Sequence, residues 1–316
     1  MHSDLVSVIL CVYGYQNYIS KTINSLINQT YKNIEIIIID DACIYDLKKE
    51  IYRINDKRII YLKNETNIGF TKSLIKGINN SKGGFIAIHD AGNIAYANRI
   101  ELQLDFLKKF NEYFLIGTSV EIVDENGQEI CKKIACSSTK FIQNTLPKFN
   151  CINHSSIFFK NDKSVSYREE FKYAQDYDFY LNLLTQKKIL DNIPEILVQE
   201  RFIDDSITFS KREEQAFYAE LARRFYFERL NYGKDTYDSF IFIDNNKEKN
   251  LFKDNLFFKR QKAYYLLYSL KFKTCRLYIK EIKDNNIDFK LKVYYLLSFF
   301  PFFIKFLKKV KKINLV

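Results

Sequence analysis

Residues 34–41 read IEIIIIDD. Apart from Glu35 the run is apolar until two aspartates close it. A strand with no polar face has to be covered on both sides, the mark of a parallel strand inside an α/β sheet. Strand and helix signals alternate around it. VSVILCVY (6–13) is a short β-branched run, and NYISKTINSLINQ (17–29) spaces Ile19, Ile23, Leu26 and Ile27 as one face of a helix. The strand RIIYL (58–62), a helix near 70–80, the strand FIAIHD (85–90), a helix near 96–110 and the strand YFLIGTSVEIV (113–123) follow, with DENG (124–127) as a hairpin turn. This alternation predicts an open, mostly parallel α/β sheet.

Ligands of such sheets lie beyond the carboxyl ends of the strands. Here the strands end on Tyr13, on Asp40 and Asp41, and on Asp90. A single strand-end aspartate serves as readily to cap a turn or helix. Several at one edge point to a nucleotide site, with a divalent metal as a further ligand. After Asp90 come Ala91, Gly92 and Asn93, so the second carboxylate a metal would want is missing. Asn93 is the nearest substitute, a neutral oxygen.

The opening, VSVILCVYGYQNYISKTINSLINQTYKNIEIIIIDD, resembles family 2 glycosyltransferases of the GT-A fold, with their PVYN-like turn, NQTY helix end and VDDGS strand end. The likeness continues through NETNIGFTKSLIKGINNSKGGFIAIHDAGN (64–93), NRIELQLDFL (98–107), NHSSIFFK (153–160) and YREEFKYAQDYDFYLNLL (167–184). It implies an α/β domain over 1–209 with the Rossmann-like mixed sheet of nucleotide-diphospho-sugar transferases. After Phe209 the sequence itself changes character, to a long amphipathic helix over 211–230 and helical stretches near 258–270, 272–284 and 289–311, which read as a C-terminal α-helical appendage over 210–316. The resemblance also implies site residues. Cys11, Val12 and Tyr13 would line the base pocket, with Tyr13 against the pyrimidine. Asp41 would accept from uracil and Asp40 would support the turn. Asp90 would face the ribose or a Mn²⁺ or Mg²⁺ ion shared with Asn93. His154 would point toward donor or acceptor, or be a structural histidine. Asp176 would be the general base, although a carboxylate in a first helical turn is also favoured by the helix dipole. The sequence departs from the family at CVYG and DDAC, and at the metal motif, where Gly92 and Asn93 stand in the places of a second aspartate. The base position reads Gln-Asp where Glu-Asp is common.

The activity implied is inverting transfer from a nucleotide-sugar, expected to be a UDP-sugar, to a hydroxyl of a growing surface glycan such as lipopolysaccharide, capsule or a lipid-linked oligosaccharide. A catalytically silent homologue that binds nucleotide or glycan is the alternative. Charge adds a further partner. Residues 1–205 carry 25 Lys+Arg against 26 Asp+Glu, whereas 206–316 carry 24 against 12. The excess positive charge therefore lies in the last third and wants a polyanion or an anionic membrane. No RNA-binding aromatic motif or recognition helix accompanies it, so nucleic acid is not expected. Residues 290–316 hold seven lysines, no acid and an apolar stretch too short to span a bilayer, which fits an interfacial helix. The opening reads as a strand rather than a leader peptide, and the six cysteines form no CxxC pair. A cytoplasmic enzyme, peripheral on the inner membrane face, is the resulting expectation.

Overall fold

A computed structural model describes residues 4–202, 212–240, 263, 272–282 and 289–301. The chain divides into two compact units, Met1–Tyr237 and Asp238–Val316.

The first unit is built on one mixed sheet. Strands β1 (Val6–Val12), β2 (Ile34–Asp40), β3 (Ile59–Lys63) and β4 (Phe85–Asp90) run parallel in the order β3-β2-β1-β4. Every residue of β1 and β2 is buried, as the apolar runs require. Glu35 is accommodated because its Oε1 accepts from Ser7 Oγ at 2.5 Å and from the Lys82 amide at 2.7 Å. Helices α1 (Ile19–Ile27), α2 (Leu47–Ile54) and α4 (Arg99–Lys109) bury Ile19, Ile23, Leu26, Leu47, Ile51, Ile100, Leu104 and Leu107 with Val6, Val8, Leu10 and Val12 in one core. On the other face α3 (Phe70–Asn79) lies close to the sheet at Gly77, where a Cβ would stand 2.6 Å from Ile39 Cδ1.

Beyond β4 the sheet is mixed. The short strand β8 (Phe158–Lys160) runs antiparallel to both β4 and β6 (Tyr113–Val123), and β7 (Glu129–Lys133) pairs with β6 as a hairpin across the DENG turn. The long strand β9 (Ile189–Arg201) is parallel to β6 and antiparallel to β5 (Ile94–Ala95). The mostly parallel expectation therefore holds for the first four strands and for the β6–β9 pair, and the remaining pairings are antiparallel. Alternating elements fix the presence of strands, but not the direction of those that return without a helical crossover. β9 carries Pro194 at a break in register, where Thr118 pairs with Ile193 and Ser119 with Ile196. The skip removes a proline from the ladder that it cannot join.

Two further helices, α5 (Thr139–Thr145) and α6 (Gln175–Thr185), precede α7 (Arg212–Tyr232), which packs on α6 and buries Phe217, Leu221 and Phe225. The first unit thus runs past residue 209, the boundary expected from sequence, because α7 and the turn after it belong to its core. In the second unit α8 (Phe272–Glu281) and α9 (Phe289–Leu297) enclose Ala263, Cys275, Ile279, Ile282 and Leu291. No helix among the described residues is long and apolar enough to cross a membrane. The helix expected near 258–270 lies outside the described residues except at Ala263, and so do Lys305, Lys308, Lys309, Lys311 and Lys312.

Candidate active site

Sheet register brings the strand ends together. Cys11 pairs with Asp90 and Val12 with Asp40, so β1, β2 and β4 stop at one edge. Cys11 and Val12 are themselves buried, and the Val12 carbonyl accepts from the Asp41 amide at 2.9 Å and Cys43 Sγ at 3.3 Å. Of the three residues expected to line a base pocket, only Tyr13 is open, at 56% exposure. Burial also raises the Cys11 thiol far above its usual range, with Asp90 and Asp41 adding to the rise, so the thiol stays protonated.

The two aspartates that end β2 have different work. Asp40 accepts from the Cys43 amide at 2.8 Å and from Tyr61 Oη at 2.6 Å, holding the turn after β2. Asp41 is buried and accepts from Asn64 Nδ2 and the Ile68 amide at 2.9 Å each and from the Gly69 amide at 3.0 Å. It thereby ties the 64–69 loop to the sheet edge at the start of α3.

Asp90 faces the opening. Its Oδ1 is buried without a hydrogen-bond partner and lies 4.0 Å from His154 Nδ1. Burial raises its carboxyl, Glu200 and Asp176 add to the rise, and His154 and Arg99 oppose it. His154 follows Asn153 in a short helical turn, with Nε2 3.0 Å from Tyr167 Oη. Asp90, His154 and Tyr167 therefore form a chain from the sheet edge to the interior. Below it Arg99, wholly buried, donates to His89 Nδ1 at 2.9 Å and to the Ile88 carbonyl at 2.8 Å. His89 is a structural strut, pushed down to about 3 by burial and by Arg99.

Asp176 stands in the first turn of α6, after Ala174 in the left-handed region at φ 52. Asn150 Nδ2 donates to its Oδ2 at 2.7 Å. Asp176 and Glu200 both act electrostatically on Asp90. Glu200 is held by Asn153 Nδ2 at 2.9 Å.

Asp90 and Asn93, expected to share a metal, are not assembled as a ligand pair. Asn93 is buried, and its Oδ1 accepts from the Arg201 amide at 3.0 Å, stitching the turn to β9. Gly92, where the family motif has an acid, adopts φ 92, and a Cβ there would stand 2.7 Å from Tyr15 Cδ1. Among the described residues no group of three or more His, Cys, Asp and Glu side chains is placed to hold a metal ion. The residues present do not fit the expected ion. Sequence reasoning passed over Tyr15, Asn150, Tyr167 and Glu200. Tyr15, beside a glycine in the first turn, was within its reach, whereas the other three join the site only through the fold.

Residues 7–208 match the family described as Glycosyl transferase family 2. An uncharacterized glycosyltransferase of Methanocaldococcus jannaschii is 33% identical, over 69% of this chain and 78% of that protein. The O-antigen biosynthesis glycosyltransferase WbnJ of Escherichia coli is 30% identical, over 64% of this chain and 82% of its own length. In fold the chain is similar to S. aureus TarS 1-349 solved in complex with UDP, with a TM-score of 0.54, 16% identity and coverage of 79% of this chain and 78% of that one. The complex of TarS 1-349 with UDP-GlcNAc gives the same TM-score at 17% identity, covering 72% and 74%.

Proposed function

Because this chain belongs to glycosyl transferase family 2, we propose that it is an inverting transferase that moves a sugar from a UDP-sugar to a hydroxyl of a growing surface glycan. The observation that carries the reading is the common edge at which β1, β2 and β4 end, where Asp90 feels the charge of Asp176 and Tyr13 is exposed just past the end of β1. Solved structures of the same fold hold UDP and UDP-GlcNAc, and a relative acts in O-antigen biosynthesis. Both support this choice of donor and acceptor.

In this reading Tyr13 stacks on the base and Asp41 accepts from it. The part-exposed Asp90 carboxylate accepts from a sugar hydroxyl, with His154 beside it. Asp176 Oδ1 takes the acceptor's proton while Asn150 holds Oδ2. The acceptor oxygen then attacks the anomeric carbon from the face opposite the diphosphate, the bond to the diphosphate oxygen breaks, and nucleoside diphosphate leaves with the electron pair. The configuration inverts. The basic tail would hold this opening beside a lipid-linked acceptor on the inner face of the membrane.

Thermal-shift measurements with UDP-, GDP-, dTDP- and CMP-sugars test the donor, because a ligand that prefers the native state raises its melting point. A larger shift with UDP-sugars is expected, and a larger shift with another nucleotide overturns that choice. The missing second carboxylate favours one other reading, a silent homologue that binds but does not transfer. Donor hydrolysis by purified protein excludes it.

A further inference from the structure

The turn after β1 and the turn after β4 are fitted to each other. Tyr15 lies in the left-handed region at φ 60, an uncommon conformation for a tyrosine, and this directs its ring onto Gly92. Gly92 in turn has φ 92, and the direction its Cβ would take is filled by Tyr15 Cδ1 at 2.7 Å and Cε1 at 3.0 Å. An aspartate at 92 would therefore meet a strained backbone and an aromatic ring at once. One place further on, the Asn93 oxygen is engaged by the Arg201 amide. Both positions from which a second ligand would reach an ion beside Asp90 are closed, each by a contact made elsewhere in the fold.

We propose that the Tyr15 ring occupies the place of the second acidic ligand, and that the nucleotide-sugar binds here without a divalent ion, its diphosphate taking a hydrogen bond from the Tyr15 hydroxyl. The proposal rests on the donor reading above. Tyr15 is 38% exposed, so its hydroxyl can meet a ligand. Burial raises this phenol, and Asp90 and Glu200 raise it further, so it keeps its proton and acts as a donor at neutral pH. Its ring lies against Gly92, two residues past Asp90, so the phenol is carried on the turn that follows Asp90, and Asp90 and Glu200 both act on it. A neutral donor there does part of what an ion would do for phosphate oxygens, without needing a second carboxylate to hold it.

The test is calorimetric titration of UDP into the full-length protein, in EDTA and in Mn²⁺. The two affinities should agree within about twofold. Tyr15→Phe, which keeps the ring and removes the hydroxyl, should weaken UDP by about five- to tenfold in both buffers. Tightening by about tenfold or more in Mn²⁺, reversed by EDTA, overturns the proposal. Unchanged affinity in Tyr15→Phe overturns the role of the hydroxyl. Should UDP bind in neither buffer, the donor reading fails, and electron spin resonance of Mn²⁺ mixed with the protein alone still decides the ion. A retained free-ion signal supports the closed position. A signal lost to the protein and restored in Asp90→Ala overturns it.

Discussion

Asn150 donates its side-chain amide to Asp176 Oδ2 at 2.7 Å, while its own Oδ1 accepts from the Ile152 amide at 3.1 Å. The amide is thus fixed at both ends, and it fixes one oxygen of the carboxylate that follows the left-handed Ala174. The other oxygen remains for a substrate.

That arrangement separates two variants. Asp176→Asn should lower turnover by roughly 10²–10⁴, the usual contribution of a general base, with folding and UDP affinity nearly unchanged. Asn150→Ala should lower it by about ten- to a hundredfold, because a charge-assisted hydrogen bond is lost while the base survives. Steady-state kinetics should put both losses in kcat rather than KM, with part of the second recovered in Asn150→Gln. Near wild-type turnover in Asp176→Asn would remove that residue from the mechanism.

Arg168 joins α6 to the end of the first unit. Its guanidinium donates to Asp178 through Nη2 and, at 2.8 Å, through Nε, and to Asp235 Oδ2 at 2.7 Å. The rings of Tyr237, Phe225 and Phe171 surround it at 4.3, 4.8 and 5.2 Å. Arg168→Met leaves the buried Asp178 carboxylate without this cation and should cost about 3–5 kcal/mol. Calorimetry should show a melting point lower by roughly 10 °C. Arg168→Met with Asp178→Leu should recover most of it, since replacing a buried pair with apolar groups is often neutral.

Acid should unfold the protein partly through His89. The folded ring protonates near 3, because burial and Arg99 disfavour its charge, whereas an unfolded histidine takes a proton near about 6.5. Between those values the unfolded chain binds more protons, so this contribution is whole above the unfolded value and is lost as pH falls below it. The slope should approach about 1.4 kcal/mol per pH unit. Urea unfolding of wild type and His89→Gln from pH 7.5 to 5 measures it. Equal slopes in the two proteins would show that His89 does not carry the effect.

Full-length protein should sediment with anionic vesicles at low salt, and less so as salt rises. Each lysine near the surface contributes about 1 kcal/mol. Truncation after Asn286 should abolish the binding. A protein that stays in the supernatant with anionic vesicles at low salt would leave the tail with a packing role.

The parallel half of the sheet was legible because β1, β2 and β4 are apolar on both faces and stop on polar residues. β9 was not, since Pro194 and Glu195 interrupt its pattern and the skip that accommodates them depends on its neighbour β6. Asp90 was placed at the sheet edge from its own strand. The engagement of Asn93 was not legible for the opposite reason: the partner of its oxygen, Arg201, is 108 residues away. Tyr15 and Gly92 carry ordinary turn signals in sequence. Only the fold brings the ring of one against the backbone of the other.

The Arg168 hub also bears on where this enzyme can be shortened. The segment matching the family ends at residue 208, yet Asp235, Phe225 and Tyr237 all close on Arg168 from beyond it. A chain cut at the end of the family match would expose the underside of the helix that bears Asp176. The smallest piece expected to fold and turn over alone ends at Tyr237, and libraries or fusions that treat the catalytic segment as portable should take their joint there.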